Sequence, residues 1–111
     1  MKNVVVVVTQ PPHRRTAEKL RMAVGLTLED GNRVSVVLMD DGVYAGQGVA
    51  AGPGQPEVDK SLETLAMLNV PVLADGPSVD ERGLMLTRFN VKTAYGGEID
   101  ELLNHADVII H

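Results

Sequence analysis

A short apolar run, Val70-Pro71-Val72-Leu73-Ala74, stops at Asp75 and opens into Gly76-Pro77-Ser78-Val79-Asp80-Glu81-Arg82-Gly83-Leu84. A β-branched run that breaks at Gly-Pro before a helix delivers one residue to the mouth of an α/β sheet. That residue is a carboxylate, able to act as a general acid or base or to hold a cation. Beside the first amides of a helix, a structural, hydrogen-bonded role fits it better than proton transfer. Arg82 can reach back to a carboxylate or an anionic ligand, or pair with Asp80 or Glu81 in water.

A second chemical cluster, Asp40-Asp41-Gly42, follows another apolar run. With Asp75 it invites a hard cation, but Asp-Gly is also an ordinary turn former, and no metal is expected. Phospho-acceptor receivers need acidic residues after the first strand, where this chain has Thr9-Gln10. Phosphatases of the haloacid-dehalogenase type need Asp-x-Asp there, so both classes are excluded. Gly46, Gly48, Gly52 and Gly54 lack the strand-to-helix context and the Gly-Lys-Ser/Thr of a phosphate cradle. His13, His105 and His111 have no ligand spacing. Ser78 reads as a helix cap, since no histidine is placed near it as a base.

The 111 residues suffice for one domain, burying roughly two-thirds of the unfolded surface. Hydrophobic residues make up 44% and aromatic ones 3%, so the core must be aliphatic. A net charge of -5, with only His13-Arg14-Arg15 as a basic cluster, argues against nucleic acid. The chain has no cysteine, which removes disulfides, thiolate metal sites and thiol nucleophiles. Val4 to Val8 is too short for a signal peptide or a membrane span, so a cytoplasmic protein without membrane partners is expected.

The elements that must carry these residues are legible from periodicity. Val4–Val8 and Val34–Met39 are continuous β-branched runs, the mark of strands covered on both faces. Between them Ala17, Leu20, Val24 and Leu28 share a helical face, and Asp30-Gly31-Asn32 ends the helix. A long Gly-rich loop is predicted from Asp40 to about Pro56, its apolar Val43, Tyr44, Val49 and Ala50 available for a subunit contact. A helix from about Glu57 turns Val58, Leu62, Leu65 and Ala66 inward, and Val70–Ala74 is the third strand. Ser78-Val79-Asp80-Glu81 fits a capping box opening a short helix. A weak strand is expected within Phe89–Tyr95, then a helix with Ile99, Leu102, Leu103 and Ala106 inward, then a final strand over 107–111. This alternation means a parallel sheet between helices. Its carboxyl edge should gather Thr9-Gln10, Asp40-Asp41-Gly42 and Asp75-Gly76.

The junction at Asp75 resembles the end of the third strand in the DsrE/DsrF-like sulfur-relay family, which reads roughly Val-x-Val-x-x-Cys-Gly-x-Ser-x-x-x-Arg-Gly-Ile. Gly76, Ser78, Arg82 and Gly83 match it, and Asp75 takes the place of the persulfide-carrying cysteine. Val36-Val37-Leu38-Met39-Asp40-Asp41-Gly42-Val43 resembles the family's second strand and its Asp-Gly-Val turn, and Ala106-Asp107-Val108-Ile109-Ile110 its last strand. The resemblance implies a three-layer α/β/α fold with a five-stranded, mainly parallel sheet, assembled into trimers or hexamers. It also implies persulfide transfer, which a carboxylate cannot perform. The expected function is therefore a non-catalytic subunit, homo-oligomeric or joined to a cysteine-bearing paralogue, with no cofactor. The alternative is a small-ligand binder or enzyme using Asp75 and Arg82 at the sheet's carboxyl edge, and the candidate pocket residues are Gln10, Asp40, Asp41, Gly42, Tyr44, Asp75, Gly76 and Arg82.

Overall fold

The computed structural model describes residues 1–47, 54–86 and 89–111. Its strands are β1 (Lys2–Val8), β2 (Asn32–Leu38), β3 (Val72–Asp75), β4 (Lys92–Ala94) and β5 (Val108–Ile110). Its helices are α1 (Arg14–Leu28), α2 (Gln55–Met67), α3 (Gly76–Glu81) and α4 (Glu98–Asn104). The five strands form one sheet in the order β4-β3-β2-β1-β5, and every pair is parallel. The expected α/β/α sandwich is present.

The all-valine run of β1 faces two cores, because alternate residues of a strand point to opposite sides. Val4, Val6 and Val8 join Leu20 of α1 and Leu62 and Leu65 of α2. Val5 and Val7 join Val37, Leu73 and Ala94 under Ile99 of α4. Covering on both faces is why the run is apolar without alternation. α1 buries Thr16, Ala17, Leu20 and Ala23, whereas Leu28, expected inward, is exposed at the helix end.

Two helix ends explain sequence features of the third strand and its exit. α2 closes with Asn69 at φ 59°, its amide on the Ala66 carbonyl and that of Val70 on Leu65. α3 closes identically: Gly83 at φ 62° donates to Asp80 and Leu84 to Val79. These are paired 5→2 and 6→1 closures around a left-handed residue. Gly83 therefore serves to stop a helix.

Two local expectations are corrected. The segment after β2 is no open loop at its start: Asp40–Gly46 forms a 3-10 helix, with Val43 and Ala45 fully buried. Val43 is thus a core residue and offers no subunit contact, while Tyr44 is half-buried. Gly48, Val49, Ala50 and Gly52 lie outside the described residues. The capping box at Ser78 is also displaced. The N-cap of α3 is Asp75, three residues earlier, and Ser78 is its N3 position.

Candidate functional site

Strand register builds the site. Val8 pairs with Leu38, Leu38 with Ala74, and Ala74 with Thr93, so these four residues form one row across the sheet. The next residue of each strand stands at the carboxyl edge, which brings Met39 and Asp75 level. Asp75 ends β3 and caps α3: its Oδ2 accepts the Ser78 amide at 3.2 Å and the Ser78 hydroxyl at 2.6 Å. The same hydroxyl oxygen accepts the Asp40 amide at 3.1 Å. Asp40 sits at φ 51°, a left-handed conformation that aspartate tolerates better than a β-branched residue would. Ser78 is 5% exposed, so both of its hydrogen bonds stand out of competition with water.

The neighbouring acid, Asp41, faces the other way. Its Oδ1 accepts Arg82 Nε and lies 3.0 Å from Arg82 Nη2. Arg82 Nη1 donates to the Ser78 carbonyl at 3.2 Å. The hydrogen bond to Asp41 is the main reason the Arg82 pKa is raised, and Tyr44 lies within electrostatic reach of the same guanidinium. Arg82 therefore clamps the end of α3 to the 3-10 helix.

Gly42 and Gly76 are both crowded by close approach. A Cβ on Gly42 would overlap the Val8 carbonyl oxygen, at the point where the 3-10 helix crosses the end of β1. A Cβ on Gly76 would enter the ring of Tyr95. Tyr95 lies over Gly76 and donates its hydroxyl to both Asp80 oxygens, at 2.9 and 3.0 Å. That hydrogen bond, then desolvation, raises the Tyr95 pKa above 10.0.

Of the residues expected at one pocket, the fold joins Asp40 to Asp75 through Ser78, and Asp41 to Arg82, with Gly42, Tyr44 and Gly76 packed around them. Gln10 stands apart. Its Oε1 bonds His13 Nε2 at 2.7 Å, and its side chain lines a separate crevice beyond β1. Tyr95 and Asp80 were not expected in the site, and no local pattern marks them. The cap could have been found, since Asp75-Gly76-Pro77-Ser78 is itself an N-cap pattern with proline in the first turn. Beside Asp75 a crevice of about 180 Å³ is lined by Met39, Tyr95, Glu98 and Asp100 among others. Its charged groups are carboxylates, which disfavour an anionic ligand there. Among the described residues no group of three or more histidines, aspartates or glutamates is arranged to hold a metal ion.

The sequence profile of the DsrE/DsrF-like family matches residues 2–111. The chain belongs to the DsrE/DsrF-like family. Among solved structures it is similar to the ychN protein from E. coli, at 28% identity and a TM-score of 0.85. That likeness covers 99% of this chain and 98% of the other. Comparison with curated proteins finds no match. No helix among the described residues of this DsrE/DsrF-like chain is long and apolar enough to cross a membrane.

Proposed function

We propose that this chain is a non-catalytic DsrE/DsrF-like subunit in a sulfur-relay setting, acting through assembly with itself or with a cysteine-bearing paralogue. The observation that carries the reading is Asp75. It occupies the place that the family motif gives to the persulfide cysteine, in a chain of 111 residues with no cysteine. Its carboxylate is engaged as the cap of α3 and has no sulfur to accept or pass. A trimer or hexamer in the cytoplasm belongs to the same proposal. It is supported by apolar side chains on the surface, Met85 at 78% exposure and Phe89 at 46%. The sheet face under α4 adds to this, being covered among the described residues by a single helix of 7 residues and indented by a cavity of about 570 Å³.

The alternative, a small-ligand site using Asp75 and Arg82, has less support, because both side chains already hold internal partners. Native mass spectrometry of the purified protein, alone and after incubation with lysate from its source, separates the two. A stable trimer or hexamer, or a co-purifying cysteine-bearing paralogue, is expected. A monomer carrying a bound small molecule would overturn the reading.

A further inference from the structure

The crevice that takes Gln10 lies outside everything assigned above. It holds about 280 Å³ at the carboxyl end of β1 and is lined by Thr9, Gln10, Arg15, Thr16, Lys19 and His111. Strand order creates it. From β1 the chain steps one way through β2 and β3 to β4, then returns to lay β5 on the other side of β1. α1 packs on one face of the sheet and α4 on the other. In parallel sheets the gap beyond the carboxyl ends, where the strand order reverses, is where ligands bind.

The charge of this crevice is opposite to that of the molecule. The chain has 15 acidic and 10 basic residues, yet among the described residues two cations and no aspartate or glutamate side chain line the gap. The ion pairs among the described residues use Arg14 and Arg82 and leave Arg15 and Lys19 without a carboxylate. The Lys19 ammonium is turned back onto the Val7 carbonyl at 3.3 Å, which places it at the end of β1 and leaves two of its three N–H donors. Gln10 is oriented as well. His13 Nδ1 accepts the amides of Arg15 (2.9 Å) and Thr16 (3.3 Å), so the neutral ring carries its proton on Nε2 and donates it to Gln10 Oε1. The amide nitrogen of Gln10 remains a donor. Thr16 contributes nothing further, because its hydroxyl donates to the Pro11 carbonyl at 2.8 Å.

We propose that this crevice binds a tetrahedral oxyanion of the phosphate class, held by Arg15 and Lys19 with the Gln10 amide as a neutral donor. Two cations match a dianion, and a planar guanidinium pairs two of its oxygens at once. The anion is either free phosphate or the phosphoryl end of a small molecule.

The test is the thermal midpoint of the full chain titrated with inorganic phosphate, with glycerol 3-phosphate, and with sodium chloride at matched ionic strength. A saturable rise with phosphate and none with chloride is expected. Arg15→Gln and Lys19→Met should each weaken it about tenfold or more, the loss of one charge-assisted contact. Arg14→Gln, next in sequence but paired to Glu18, should leave it unchanged. Tighter binding of glycerol 3-phosphate than of phosphate would assign the phosphoryl end of a larger molecule, and equal binding the free anion. No saturable response, or equal weakening by Arg14→Gln and Arg15→Gln, would overturn the site.

Discussion

The Ser78 hydroxyl donates to Asp75 Oδ2 at 2.6 Å, and through that contact the end of β3 is tied to the backbone that leaves β2. One carboxylate thus caps a helix and orients the group that holds Asp40. Asp75→Ala removes the cap and leaves a buried hydroxyl short of a partner. The expected loss is about 1–2 kcal/mol in urea unfolding. Asp75→Asn, which keeps an acceptor for the Ser78 amide, should lose less. A loss equal to that of alanine would show that a neutral acceptor does not serve as the cap.

Asp75→Cys tests the alignment with the family's cysteine. The new thiol would stand where the Ser78 amide now meets a carboxylate. Given a persulfide donor, the thiolate attacks the terminal sulfane sulfur and the donor's thiolate leaves. We expect a gain of one sulfur atom by intact mass, reversed by reductant. A folded variant with a titratable thiol and no added sulfur would remove Asp75 from that position.

Asp41 and Arg82 should behave as a pair. Each alanine variant is expected to lower the unfolding midpoint, and the double variant to lose less than the two combined. Asp41 is 55% exposed, so the coupling should shrink in high salt. Strict additivity would mean that the clamp does not operate in solution.

Gly42 and Gly76 are both crowded, but by different neighbours. Alanine at 42 meets the backbone carbonyl of Val8, pinned between β1 and β2, and should cost more than about 3 kcal/mol or prevent folding. Alanine at 76 meets the Tyr95 ring, which is 54% exposed and can swing outward. That variant should fold, with the Tyr95–Asp80 contact broken. Similar losses at both positions would contradict this difference.

Tyr95 carries a pH signature. Its neutral phenol donates to Asp80, so the folded pKa lies above the unfolded value of 10.0. The stabilisation is complete below that value and disappears as pH rises through the folded pKa, where phenolate and carboxylate repel. Ultraviolet titration of Tyr44→Phe, which leaves Tyr95 as the one tyrosine, should show late ionisation that moves down in Asp80→Asn. An unmoved titration would mean that Asp80 is not the cause.

Much of this fold was written in local pattern. Val4–Val8 and Val34–Met39 read as strands covered on both faces, because no alternation leaves a polar face. The lack of cysteine by itself excludes thiol chemistry. The Gly-x-Ser-x-x-x-Arg-Gly order after Asp75 resembles the family only together with the Asp-Gly-Val turn after the second strand and the last strand. What local pattern could not carry was contact across the chain. Ser78 meets Asp40 at a separation of 38 residues and Arg82 meets Asp41 at 41, and both depend on β2 and β3 being neighbours in register. Gln10 parts from that cluster because its side chain turns to His13, the N-cap of α1. Periodicity records which face of an element is apolar. Which strands adjoin, and so which polar groups meet at the carboxyl edge, is decided only when both sheet faces are covered and the crossovers take their places.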